Sequence, residues 1–135
     1  MNPVVHFEMP ANDTKRMAEF YTKVFGWQPQ FMGAEMGNYV VVMTTEPDEN
    51  GRPKTPGAIN GGFYPKDQSA APHPSVVIAV DDLNESVKMI KSNGGNMLGE
   101  PMPIPGVGLW VSFTDTEGNR VSILQPDMSM SEQKK

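Results

Sequence analysis

A chain of 135 residues, 38% hydrophobic and 20% charged, holds enough apolar material for one ordinary core and excludes a pair of large domains. The net charge of −5 and the absence of any basic run argue against a nucleic-acid surface or an anionic-membrane surface, where clustered Lys and Arg must neutralise phosphates. No cysteine is present, which removes disulfides, thiolate nucleophiles and iron–sulfur clusters, so any metal would have to be held by His and carboxylates. No apolar run of about 18 residues and no basic segment followed by an apolar one occurs, and a cytoplasmic address is expected.

In chain order, Val4 to Met9 reads as a strand. Asn12 or Asp13 is placed to cap a helix whose apolar positions are Met17, Phe20, Tyr21 and Val24 and which ends at Gly26. Short alternating runs follow, with turn residues between them, as in antiparallel hairpins. They predict strands at Gln28–Met32, Asn38–Met43 and Ala58–Phe63, separated by Gly33 to Gly37 and by a long polar loop from Glu46 to Gly57. Laying His6 on Ser75, an offset of 69, repeats the pattern with almost no identity. Val76 to Val80 is the strand, and Asp82 with Glu85 resembles a capping box. Leu83, Val87 and Ile90 form the apolar stripe of the second helix, and Gly94-Gly95 ends it. Three more strands are expected at Met97–Met102, Gly108–Thr114 and Arg120–Leu124, the last preceded by the turn Asp115 to Gly118. The fold class is therefore α+β, a single domain over residues 3–126 with βαβββ modules at about 3–64 and 75–126. A Pro- and Ala-rich linker, Tyr64 to Pro74, joins them, and 127–135 is a polar tail.

His6, the string Phe20-Tyr21-Thr22-Lys23-Val24-Phe25-Gly26-Trp27, Val80-Asp81-Asp82, Asn93-Gly94-Gly95-Asn96 and Asp115 with Gly118-Asn119 follow one another in an order and spacing that resembles the vicinal-oxygen-chelate superfamily, and its glyoxalase-like proteins in particular. The resemblance covers residues 3 to 126. It implies that the two modules curl into a cup with helices outside and a ligand or metal within. It also implies that such chains pair as homodimers.

Strand parity nominates the residues of such a site. His6 and Glu8 share one face of their strand, while Val5, Phe7 and Met9 share the face expected to meet the helix. By the resemblance, His6 stands at the first metal-ligand position and Ser75 at the third. Ser122 stands where metal enzymes carry a glutamate, and the second ligand falls near Gly61 or Gly62. Three of those four positions offer no strong ligand, whereas metal-dependent relatives need several His or carboxylate donors around an open coordination sphere. Glu8 and His73 are the substitutes within parity. Glu8 lies about 7 Å along the strand from His6, at two strand rises, and His73 is held between two prolines.

The candidate catalytic groups are Glu8, as a base with its pKa raised by burial, and His6. The candidate binding groups are His6, Glu8, Ser75, Ser122 and Trp110, whose ring would stack on a ligand. The plainer readings are a hydrogen-bonded packing residue for His6 and a salt-bridged strand residue for Glu8. Trp27, Met17 and Met89 read as core. Gly61-Gly62 allows a close backbone approach or marks a bulge. No cofactor is expected, with a divalent metal on His6 as the exception. Three functions follow: a metal-independent glyoxalase-like protein that binds a small organic molecule and acts on it, a bleomycin-resistance-type sequestering protein, or a metal-dependent lyase or dioxygenase with a displaced ligand set.

Overall fold

The computed structural model describes residues 1–66 and 72–127 and divides them into two compact units. The middle of the expected linker and nearly all of the expected tail lie outside the described residues.

The unit from His6 to Ser75 contains most of strand β1 (Val4–Ala11), helix α1 (Thr14–Phe25) and strands β2 (Gln28–Phe31), β3 (Val40–Met43) and β4 (Asn60–Pro65). The sheet order is β2-β3-β4-β1, with β4 antiparallel to β3 and parallel to β1. Asp13, the second of the two predicted caps, starts α1 by accepting the Arg16 amide on Oδ1 at 3.0 Å. Gly26, at φ 75°, ends it by donating its N–H to the Thr22 carbonyl. Ala18, Val40, Val42 and Phe63 form the buried core, with Phe7, Met9, Met17, Tyr21 and Trp27 packed around them. The Tyr21 and Trp27 rings stack at 4.6 Å.

The predicted apolar stripe of α1 needs correction at Phe20 and Val24, which are each 55% exposed. Ala18 and Tyr21 point at the sheet, and a residue one position away is turned by about 100°, so Phe20 meets Tyr21 only edge-on, at 5.1 Å. Strand β3 begins two residues later than predicted because Asn38 has φ 57°, a left-handed conformation that an extended strand cannot contain. The 46–57 loop carries its own turn. Asp48 accepts the Asn50 and Arg52 amides, and Pro47 bridges to Pro53.

The other unit, Met1–Val5 with the chain from Val76 onward, holds the remainder of β5 (Ser75–Ala79), helix α2 (Leu83–Ser92) and strands β6 (Asn96–Ile104), β7 (Gly108–Thr114) and β8 (Arg120–Pro126). The order is β5-β8-β7-β6, with β5 and β8 parallel and the other pairs antiparallel. Asp82 caps α2 through the Glu85 amide at 3.1 Å, but the Glu85 carboxylate turns to Lys88, so the predicted capping box is half formed. Val80, Leu83, Val111 and Ile123 are the core, with Val87 and Ile90 against them as the periodicity requires. Met89, expected in the core, is 62% exposed, one helical position off the stripe. Strand β6 runs past its predicted ends because pairing resumes beyond an irregularity between Leu98 and Met102, where Gly99 has φ 103°. Both units are thus βαβββ-type modules with mixed sheets and a helix on one face, an α+β fold. No helix among the described residues is long and apolar enough to cross a membrane.

Candidate functional site

The sheet of the first unit has two unlike faces. Phe7, Met9, Val40, Val42 and Phe63 point at α1, as the parity of β1 predicts, which leaves His6 and Glu8 on the opposite face. Between them lies a residue that the sequence reading missed. The Tyr39 hydroxyl is 3.2 Å from His6 Nε2 and donates to Glu8 Oε2 at 3.3 Å. All three side chains are partly buried.

The glycine pair of β4 makes this arrangement possible. Gly62 lies opposite Glu8 in the parallel ladder and opposite Val41 in the antiparallel one. A Cβ on Gly62 would overlap the Tyr39 phenol, and one on Gly61 would overlap the Phe7 ring. The pair therefore admits two side chains of its own unit, one on each face. The β1–β4 register passes through both without a break, so neither glycine marks a bulge.

The proton positions follow from the donor inventory. Tyrosine has a single hydroxyl proton, and here it goes to Glu8. His6 must then donate through Nε2–H to the phenol oxygen, which leaves a lone pair on Nδ1. Burial lowers the His6 pKa from 6.5 to about 4, so the ring is neutral at pH 7. The Tyr39 hydroxyl is pushed well above its ordinary range, first by burial and then by the charge and hydrogen bond of Glu8, with Tyr64 adding to the effect. Tyr39 is therefore a hydrogen-bond donor and not a base. Glu8 accepts from Tyr39 in a directed chain that starts at His6. Both contacts are long for hydrogen bonds of their type, as is common at sites that tighten around a ligand.

The other sequence candidates are placed as follows. Ser75 opens β5. Trp110 and Ser122 belong to the second unit, on the sheet face opposite its helix, where Trp110 lies across from Leu124 and Met102. Ser122 is 2% exposed, and its hydroxyl is paired with that of Ser112 at 2.8 Å. Arg120 also donates to Ser112, at 3.4 Å. His73 is exposed and precedes the strand.

A divalent metal does not fit these donors. His6 Nε2 is engaged by Tyr39, the second-ligand position falls on glycines, and the Ser122 hydroxyl is already paired. Among the described residues, no group of three or more His, Asp or Glu side chains is gathered to hold a metal ion.

Paired βαβββ modules, each with a partly buried polar sheet face opposite its helix, define the class of protein. The chain belongs to the Glyoxalase/Bleomycin resistance protein/Dioxygenase superfamily, whose sequence pattern matches residues 4–123. A glyoxylase-like domain-containing protein of Didymella fabae is 30% identical over 125 residues, spanning 86% of this chain and 88% of the relative. The putative glyoxylase CFP32 of Mycobacterium bovis is 30% identical over 110 residues, or 79% of this chain, but the match spans only 38% of that longer protein. Among solved structures, methylmalonyl-CoA epimerase from Mycobacterium tuberculosis aligns with a TM-score of 0.66 at 14% identity, over 96% of this chain and 91% of its own. A hypothetical protein from Bacillus halodurans C-125 aligns at 0.67 and 13%, over 93% and 95%. At those identities the structures share the fold.

Proposed function

We propose that this protein binds a small organic molecule on the sheet face that carries His6, Tyr39 and Glu8, and does so without a divalent metal. The observation that carries the reading is the directed chain from His6 through Tyr39 to Glu8 across Gly62. A partly buried carboxylate, a neutral imidazole and a neutral phenol converge there, on the face the core does not use. Such a set can recognise a ligand by hydrogen bonding, and Glu8 can take a proton from it. Ser75, which opens β5, remains a candidate for a further ligand contact, whereas the Ser122 hydroxyl is buried and paired with Ser112. A homodimer belongs to the same reading, because related modules commonly pair about a two-fold axis, and elution as a monomer would count against it.

The test is a thermal-shift screen of metabolites and antibiotics in the presence of EDTA, with mass spectrometry of any hit. A ligand that binds the native state raises the midpoint, and the rise should be lost in His6→Ala and Glu8→Gln. A hit recovered chemically altered makes the protein a metal-independent enzyme; one recovered unaltered favours sequestration of the bleomycin-resistance type. Turnover of methylglyoxal–glutathione hemithioacetal that requires added Ni²⁺ or Zn²⁺ and vanishes in His6→Ala would refute the metal-free reading.

A further inference from the structure

We infer that Tyr39, interlocked with Gly62, keeps divalent cations off the His6–Glu8 pair. The inference rests on the metal-free reading above and names the device behind it.

The phenol oxygen stands 3.2 Å from His6 Nε2 and 3.3 Å from Glu8 Oε2, so it fills the space between the two atoms that a shared cation would bridge. The imidazole is otherwise suited to be a ligand, because burial keeps it neutral and a neutral ring is what a metal requires. Two properties of Tyr39 remove that capacity. Its oxygen accepts from Nε2–H, because its own proton goes to Glu8, which places the imidazole proton on the nitrogen at the phenol and the lone pair on Nδ1. Its ring lies over Gly62, the residue opposite Glu8 in the β1–β4 ladder, from which a third donor could project. A side chain at position 62 and the Tyr39 phenol compete for the same volume. The exclusion is therefore mutual: the phenol needs the glycine, and the glycine leaves the cation without a third ligand.

The test measures Ni²⁺ and Co²⁺ binding to the full-length chain, free of any histidine tag, by calorimetry and thermal shift. Wild type, Tyr39→Ala, Tyr39→Phe, Gly62→Ala and the double variant His6→Ala/Tyr39→Ala are compared, with circular dichroism as the check on folding. Tyr39→Ala should bind Ni²⁺ at least about tenfold more tightly than wild type, the scale on which groups adjoining a ligand set metal affinity. The gain should disappear in the double variant. Gly62→Ala, which evicts the phenol without deleting it, should gain in the same direction and serves as the second route if Tyr39→Ala folds poorly. Tyr39→Phe, which removes the oxygen but leaves the ring over Gly62, should gain in the same direction.

Failure of both Tyr39→Ala and Gly62→Ala to gain affinity overturns the inference. So does a gain that persists without His6, or Ni²⁺ binding by Tyr39→Phe that is no tighter than wild type. Tight Ni²⁺ binding by the wild type would instead sink the metal-free reading itself, so the two failures are distinguishable.

Discussion

Protonating His6 should destabilise the folded protein, by an amount that can be worked out. The folded-state pKa of about 4 lies below the unfolded value of 6.5, because burial penalises the charged ring. Above pH 6.5 the ring is neutral in both states and contributes no pH dependence. As the pH falls below 6.5 the unfolded chain takes up a proton that the folded chain refuses, so stability drops until the folded ring also titrates near pH 4. Each pH unit in that window is worth about 1.4 kcal/mol, which gives a loss of about 2 kcal/mol by pH 5 and about 3 kcal/mol by pH 4. Carboxylates titrate in the same region, so the measurement is a difference. Urea unfolding of wild type and His6→Gln should be followed from pH 7.5 to pH 4.5. The glutamine amide keeps a donor for Tyr39 but does not titrate. Wild type should lose stability relative to the variant with the slope just given. Parallel curves would refute the argument that His6 is buried and neutral.

Four further outcomes follow from the packing. Gly61→Ala should destabilise by about 1 to 3 kcal/mol, the cost of overpacking a core, because the added methyl meets the Phe7 ring and that ring is already against Trp27; a chemical-denaturation midpoint equal to wild type would contradict this. Phe63→Ala should cost about 3 to 5 kcal/mol, because Phe63 is fully buried beside Ala18, Val40 and Val42, and a thermal scan in which the variant melts with wild type would show the core to be misassigned. Ser122→Ala should cost about 1 to 3 kcal/mol in urea titrations by taking from the buried Ser112 its partner at 2.8 Å; no loss would show that Arg120 alone satisfies Ser112. Asp13→Ala should cost about 1 kcal/mol by unpairing the Arg16 amide, with Asp13→Asn restoring most of it in the same assay.

The elements were legible in the sequence wherever a periodic run ended in a capping or turn residue. Asp13, Gly26, Asp82 and the Asp115 turn stand as read, the last with Asp115 accepting the Glu117 and Asn119 amides. Legibility failed where one residue position decides a helix face. Phe20 fits the helical spacing yet lies about 100° from Tyr21 and is exposed, Met89 is likewise one position from Ile90, and Val24 is exposed in the last turn of α1. Composition alone does not say which of two adjoining stripes is buried.

His6 and Glu8 were legible as one face by parity, but their joining residue was not. Tyr39 was inside a predicted strand and shared parity with Val41, opposite Val40 and Val42, so its face was available in principle. That it reaches across to β1 depends on the β3–β4–β1 order and on Gly62 lying between, which is information about pairing that no local pattern carries. The glycine pair was the usable signal. By itself a glycine pair signals a close backbone approach or a bulge, and here the space is occupied by Phe7 and Tyr39.

Ligand recognition at the His6–Tyr39–Glu8 face without a metal can be followed residue by residue. Its most direct test is a protein-observed NMR titration with a hit from the thermal-shift screen, recorded with and without EDTA. Saturable shifts centred on His6, Glu8, Tyr39 and Gly62 are expected, with an unchanged dissociation constant when chelator is present. Shifts that leave these residues untouched, or binding that disappears with EDTA and returns with Ni²⁺ or Zn²⁺, would contradict it.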